Sequence, residues 1–136
     1  MTDVFLSYAR EDHTSAEALA DALVETGLSV FWDRHIPVGT SWGQVLEKEL
    51  AAAKCMIVLW SAASTQSDWV LDEAEVGKQR RILVPATIGK ARIPLGFGRI
   101  QAADLDDWFA DESATEFNKL LLAINSVRQE YTPRQE

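Results

Sequence analysis

The stretch Cys55-Met56-Ile57-Val58-Leu59-Trp60 is the most apolar strand that the sequence predicts. Its apolar residues lie between Lys54 and the small-residue loop 61–66. A short apolar run bounded in this way is typical of a buried strand in a sheet that is covered on both faces. The rest of the chain is therefore expected to supply helices for two layers around this strand.

Other segments repeat the pattern of strand followed by helix. Short apolar runs between turn signals predict strands at 4–8, 28–32, 82–87 and 100–102. Apolar residues at helical spacing predict helices at 14–26, 41–53, 67–78 and 113–127. Capping-box spacing at Thr14, Ser41 and Ser113 marks three of the helix starts. Loops are expected at 33–41 and 89–98, and the acidic run 104–107 is expected to break the pattern.

This alternation predicts an α/β fold with one open parallel sheet of five strands and helices on both faces. Short right-handed crossovers favour the flavodoxin-like strand order 2-1-3-4-5. The length fits one domain, expected at 1–130, with 131–136 as a tail or the start of a linker.

Charge and cysteine content exclude several kinds of partner. The net charge of −8 argues against broad binding to nucleic acid or to an anionic membrane, because the field would repel phosphate. With Cys55 alone no internal disulfide forms, which fits a reducing cytoplasm. The sequence shows no signal peptide and no apolar run long enough to span a bilayer.

In this fold, ligands bind beyond the carboxyl ends of the strands, near the switch in strand order. That edge brings together the segments 8–10, 32–34 and 60–61, and the helix from Ser67 carries Trp69 and Glu73 toward the same rim. Trp69 and Glu73 are four residues apart and share one helix face, so an aromatic surface would lie beside a carboxylate. The alternative is that Trp69 is a core residue and Glu73 one solvated acid among 21.

Two further tryptophans fall at this edge. Trp60 is expected to close the core, whereas Trp32 is equally suited to the core and to stacking on a ligand ring. Several other kinds of site are excluded. The chain has no Gly-x-Gly-x-x-Gly, Walker or nucleophile-elbow motif, and it lacks the acidic residues of a receiver domain. His13 and His35 have no partners at metal-ligand spacing, so no metal is expected.

Four segments, in order along the chain, resemble the motifs of the Toll/interleukin-receptor (TIR) domain family, and the sequence looks most like its bacterial branch. They are Asp3-Val4-Phe5-Leu6-Ser7-Tyr8-Ala9-Arg10-Glu11-Asp12, Phe31-Trp32-Asp33-Arg34-His35-Ile36-Pro37-Val38-Gly39, Ser67-Asp68-Trp69-Val70-Leu71-Asp72-Glu73, and Phe97-Gly98 with Ile100. The resemblance extends from Thr2 to about Val127.

Some members of the family are signalling scaffolds, and others cleave nicotinamide from NAD to give ADP-ribose or a cyclic form of it. Glu73 matches the glutamate that is essential in the enzymes, which implies an NAD nucleosidase that uses NAD as its substrate and needs no separate cofactor. The implied substrate-binding residues are Tyr8, Ala9, Arg10, Trp32, Asp33 and Trp69. The implied self-association loop, which in enzymes packs against a second TIR domain and completes the site, contains Arg34, His35, Ile36, Pro37, Val38 and Gly39.

The chain also departs from the family pattern. Ala9 stands where some enzymes carry a basic residue, and Val38 where some carry an acid. These departures concern how the diphosphate and the loop are held, and neither removes Glu73. The alternative to an NAD-cleaving enzyme activated by self-association is a non-catalytic TIR–TIR interaction module, and a receptor for an ADP-ribose-like signal is a third hypothesis. Bacterial relatives leave both antiviral defence and interference with host signalling open as biological roles.

The bond between nicotinamide and ribose breaks through a transition state with oxocarbenium character. Because the leaving group is already cationic it needs no general acid, so Glu73 alone could stabilise the charge that develops on the sugar. Trp69 or Trp32 could stack on a ring. Arg10 is suited to the diphosphate or to a surface ion pair, and Asp33 to a ribose hydroxyl or to its own loop.

Overall fold

The structure is a computed structural model that describes residues 3–32, 38–39, 42–111 and 114–130. In this part of the chain a parallel sheet has five strands in the order β2-β1-β3-β4-β5, which confirms the predicted fold class. The strands are β1 Val4–Ser7, β2 Val30–Phe31, β3 Cys55–Trp60, β4 Leu83–Thr87 and β5 Ala103–Asp104. The tail 131–136 lies outside the described residues.

Five α-helices connect and cover these strands in the described ranges. They are α1 His13–Glu25, α2 Trp42–Ala52, α3 Asp68–Gln79, α4 Asp106–Asp111 and α5 Ala114–Glu130, with short 3₁₀ turns at Arg10–Asp12 and Ser64–Gln66. None of these helices is both long and apolar enough to cross a bilayer.

Strand β3 lies at the centre of the sheet and is buried along its whole length. Its side chains alternate between two core layers, as a period of two requires. Cys55, Ile57 and Leu59 join the layer formed with α1 and α5. Met56, Val58 and Trp60 join the layer formed with α2, α3 and the segment 91–100. The most apolar stretch of the sequence therefore holds both halves of the core together.

The fifth strand differs from the prediction. It lies at Ala103–Asp104 and not at 100–102, because Ala103 pairs with Ala86 of β4 while Ile100 packs into the α2–α3 layer. The acidic run 104–107 does not break the pattern but begins α4. The Asp104 carboxylate accepts a hydrogen bond from the Asp106 backbone N–H at 3.0 Å, and such acids stabilise the start of a helix.

Helix α1 also begins differently. It starts at His13, after the N-cap residue Asp12, and so the capping box predicted at Thr14 is wrong. The 3₁₀ turn runs directly into the helix, and its own backbone bond from Asp12 N to Ala9 O, at 2.8 Å, organises the entry. The second strand is shorter than the predicted 28–32.

Helices α1 and α3 end in the same way, with the residue after the C-cap in the left-handed region. That residue is Gly27 at φ 96° in α1 and Arg81 at φ 62° in α3. In each case the following residue donates a backbone hydrogen bond to the carbonyl five positions earlier, from Leu28 to Leu23 and from Ile82 to Gly77. These are Schellman ends, for which glycine is preferred.

The two helix ends predict opposite effects on stability for substitutions at Arg81 and Gly27. We expect Arg81→Gly to raise the free energy of unfolding by roughly 0.5–1 kcal/mol, because it relieves the positive φ of a side-chain-bearing residue. We expect Gly27→Ala to lower it by about 1 kcal/mol, since the added Cβ would meet no atom within 4 Å and only the backbone angle opposes it. Urea denaturation measures both, and an unchanged or lower stability of Arg81→Gly would contradict the assignment.

Asp3 connects the start of β1 to neighbouring elements. Its carboxylate accepts a hydrogen bond from the Ser29 backbone N–H at 3.0 Å and lies 3.5 Å from the Arg128 guanidinium. Burial alone would raise the pKa of Asp3, but the bond from Ser29 and the charges of Arg128 and Lys54 outweigh it, so the pKa is lower than its ordinary value of 3.8.

A carboxyl whose pKa is lower in the folded state stabilises the fold above the unfolded value and loses this effect as the pH falls through the folded value. We therefore expect Asp3→Asn to destabilise the protein at neutral pH, with the difference from the wild type shrinking below the ordinary pKa of 3.8. Urea denaturation of both proteins at neutral pH and at about pH 3 measures this. An equal difference at the two pH values would show that the charge of Asp3 does not contribute.

Candidate functional site

Glu73 lies at the carboxyl end of β1. The Ser7 hydroxyl, on the last residue of that strand, donates a hydrogen bond of 2.7 Å to Glu73 Oε1. Glu73 is 7% exposed, and within the described ranges it is the one charged side chain that is buried. Strands β1 and β3 flank the point where the strand order switches, which is where this fold places its ligands. The alternative that Glu73 is a solvated surface acid is therefore wrong.

Local sequence explains how α3 brings Glu73 to this edge. The helix begins as predicted, because the Ser67 hydroxyl accepts a hydrogen bond from the Val70 backbone N–H at 3.3 Å. Val70, Ala74 and Gly77 are its buried contact with the sheet. A Cβ at Gly77 would lie 2.7 Å from Met56 Sδ, so the missing side chain lets the helix approach β3 closely.

The tryptophans at this edge divide into two kinds. Trp69, one helical turn before Glu73, is 38% exposed, so it is a rim residue and not part of the core. Trp60 is fully buried and packs against Phe97 with ring centroids 5.3 Å apart, which confirms it as a core residue. Of the two, only Trp69 offers a surface on which a ligand ring could stack.

Tyr8 and Trp32 lie with the other layer of the core. Tyr8 belongs to the cluster formed with α1 and α5, and Trp32 packs against that cluster. The Tyr8 hydroxyl donates a hydrogen bond of 2.8 Å to the Trp32 backbone carbonyl, and His13 lies against Trp32 at a centroid distance of 5.3 Å. Tyr8 therefore fixes the end of β2, and its side chain does not share the face of Ser7 and Glu73.

The remaining predicted residues follow β1 or β2. Ala9 is buried at 5% exposure in extended backbone, and Arg10 is exposed at the start of the 3₁₀ turn. Val38 is fully exposed and Gly39 has a φ of 89°. Asp33, Arg34, His35, Ile36 and Pro37 lie outside the described residues, so their predicted roles rest on the sequence alone.

A serine cluster joins the loops that follow β1 and β3. The Ser61 hydroxyl donates a hydrogen bond to the Asp12 carboxylate. The Ser61 backbone N–H donates to the Ser64 hydroxyl at 2.7 Å, and that hydroxyl donates to the Leu59 carbonyl at 2.8 Å. These contacts hold the segments after β1 and β3 side by side, as the topology predicts. Sequence reasoning did not assign these roles to Asp12, Ser61 and Ser64, nor did it find Ser7, whose signal was a hydroxyl in an otherwise apolar strand.

A separate cleft of about 500 Å³ lies beyond β4 and β5, and Glu73 does not line it. Its charged lining residues, Lys90 and Asp104, are both exposed. The lining of the cleft therefore contains no buried charged side chain comparable to Glu73. Across the part of the chain that the structure describes, no three His, Cys, Asp or Glu side chains come together as a metal site.

Comparison with known proteins identifies the family and agrees with the fold. A family model described as TIR domain matches residues 4–121. No curated protein matches the chain significantly. The TIR domain of the Toll-related receptor TRR-2 from Hydra magnipapillata superposes with a TM-score of 0.77 at 17% identity, covering 92% of this chain and 99% of that one.

Two larger proteins contain similar domains. A metazoan TIR-STING receptor from C. gigas, solved in complex with 2',3'-cGAMP, has a TM-score of 0.72 at 24% identity over 89% of this chain and 38% of its own. The TIR domains of the activated Roq1 resistosome, which recognises the pathogen effector XopQ, have a TM-score of 0.57 at 22% identity over 95% of this chain and 82% of theirs. These likenesses show the fold.

Proposed function

The chain belongs to the TIR domain family, and from this premise we propose that it cleaves the bond between nicotinamide and ribose in NAD, with Glu73 as the catalytic carboxylate. The observation that carries the proposal is the buried Glu73 held by Ser7 at the switch point of the sheet. Burying an acid costs free energy unless it is hydrogen-bonded, and Glu73 is buried at the edge of the sheet where this fold binds ligands.

The chemistry suits a single acid. As the C1′–N bond breaks, its electron pair leaves with nicotinamide, and positive charge develops on the ribose. A carboxylate at 7% exposure is little screened by water, so it stabilises that charge more strongly than a surface acid would. Water then adds to C1′ and loses a proton to give ADP-ribose, or a nucleophile on the adenine closes the ring to a cyclic product.

The other predicted residues have distinct places in this proposal. Trp69 stacks on the nicotinamide or the adenine from its exposed position at the rim. Arg10 binds the diphosphate, and Ala9 contributes backbone beside it. Asp33 keeps the role that the sequence suggests, at a ribose hydroxyl or in its own loop. Trp32, whose backbone carbonyl accepts a hydrogen bond from the Tyr8 hydroxyl at the end of β2, is the second candidate for stacking on a ring.

We further propose that activity requires a second copy of the domain. Val38, in the segment that the sequence assigns to self-association, is fully exposed. The Roq1 structure shows TIR domains within an activated assembly. The biological setting that fits the sequence is a cytoplasmic bacterial enzyme of antiviral defence or of interference with a host.

The test is to incubate the 136-residue chain with NAD, both dilute and clustered on vesicles through a terminal tag, and to follow nicotinamide by chromatography. The proposal predicts release that rises steeply on clustering. A domain that associates but releases no nicotinamide in either state is an interaction module, and the enzymatic proposal is then wrong.

A further inference from the structure

One polar side chain interrupts an apolar surface beneath α3. On the side of the sheet that faces α2 and α3, the neighbouring side chains of β1 and β3 are Phe5, Met56, Val58 and Trp60. Ser7, two residues after Phe5, occupies the same side and is fully buried. A buried hydroxyl among apolar groups costs free energy unless it is hydrogen-bonded. The hydrogen bond to Glu73 offsets this cost for Ser7.

The hydrogen bond from Ser7 to Glu73 is short and shielded. The Oγ–Oε1 distance is 2.7 Å, and it joins residues 66 positions apart in the sequence. Ser7 is 0% exposed, so water does not compete for its hydroxyl. Bonds from a hydroxyl to a carboxylate are stronger than bonds between neutral groups, and a low local dielectric strengthens them further.

We propose that Ser7 is a positioning residue that orients the Glu73 carboxylate for catalysis. This inference rests on the proposed function. The last torsion of a glutamate side chain is broad, so the carboxylate needs an outside contact to keep one orientation. Ser7 is fixed in β1 and supplies that contact from the sheet. Helix α3 fixes the backbone from which the Glu73 side chain extends. A charge held in place in this way stabilises a transition state without reorganisation.

A positioning role affects kcat more than KM, because the buried Ser7 does not reach the substrate. We expect Ser7→Ala to lower kcat of the clustered domain roughly tenfold, which is the effect of one hydrogen bond to a charged group, with KM changed less than about threefold. Ser7→Thr retains the hydroxyl on a β-branched side chain that suits a strand, and we expect it to recover most of kcat. If Ser7→Ala does not fold, Ser7→Cys, which keeps the volume and offers only a weak donor, takes its place with the same expectation.

Cys55→Ala is the matched control. Cys55 is also fully buried in the sheet, but it lies at the opposite end of β3 and in the other core layer. Burial raises the pKa of its thiol to about 12. Cys55 pairs with Val4 and Ser7 pairs with Val58, so Cys55 lies away from the end of the sheet that holds Ser7. We expect Cys55→Ala to lower thermal stability while leaving kcat within about twofold of the wild type.

The outcomes separate this inference from the proposed function. A wild-type domain that releases no nicotinamide overturns both. An active wild type with Ser7→Ala or Ser7→Cys at unchanged kcat overturns the inference alone. So does an equal loss of kcat in Cys55→Ala, or a Ser7→Thr that is as stable as Ser7→Ala and no more active.

Discussion

Glu73→Ala is expected to lower nicotinamide release by the clustered domain by roughly a hundredfold or more, because it removes the charge that stabilises the sugar in the transition state. No other charged side chain within the described ranges is buried, so none replaces it. The measurement is the initial rate of nicotinamide release at saturating NAD. Thermal denaturation of the same samples shows whether the variant is folded.

Glu73→Gln tests the charge separately from the shape. The amide oxygen still accepts a hydrogen bond from Ser7, so packing is retained while the negative charge is lost. We expect its activity to fall as far as that of Glu73→Ala. The matched control is Glu75→Gln on the same helix, since Glu75 is partly exposed and its carboxylate bonds to Gln79 at 3.0 Å. Full activity in a folded Glu73→Gln would contradict the catalytic role.

Val38→Lys is expected to give the second-largest effect, a loss of roughly tenfold or more at a domain concentration where the wild type is active. Where an apolar side chain packs against a partner, a lysine in its place has to bury its charge without an opposite charge, and this opposes association. Since Val38 is fully exposed, the substitution should leave the stability of the single domain unchanged. Activity as a function of concentration, together with sedimentation, measures the effect.

Leu95→Lys provides the control for Val38→Lys. Leu95 is as exposed as Val38, at 103% against 105%, and the substitution changes the net charge equally. Leu95 lies in the segment between β4 and β5, which the sequence does not assign to self-association. If the two variants lose activity equally, or if neither does, the assignment of the self-association loop is wrong.

The fold was predictable where residues act locally. The bounds of β3 and the start of α3 agree with the sequence because a continuous apolar run and the Ser67 cap define them without outside help. The fifth strand was misplaced because a strand of this length depends on its pairing with β4, which no local pattern reveals. Helix α4 was missed because its aspartates indicate a turn until Asp104 is seen to bond to the Asp106 backbone.

The candidate site was predictable in part. The place of Glu73 follows from the strand order and the helix phase, both of which the sequence provides. Its hydrogen bond with Ser7 does not, because a serine in a strand carries no sign of a partner 66 residues away. The sequence was sufficient to predict on which face of the sheet the Tyr8 side chain lies. Adjacent residues of a strand point to opposite faces, so Ser7 and Tyr8 belong to different layers.

The role of Glu73 is decided by proton NMR of NAD incubated with clustered wild type and with clustered Glu73→Gln, because this measurement observes the bond between nicotinamide and ribose itself. We expect that, with the wild type only, the signal of the ribose C1′ proton beside nicotinamide disappears and free nicotinamide appears. Equal rates for the two proteins would show that the buried carboxylate at the end of β1 does not carry the reaction.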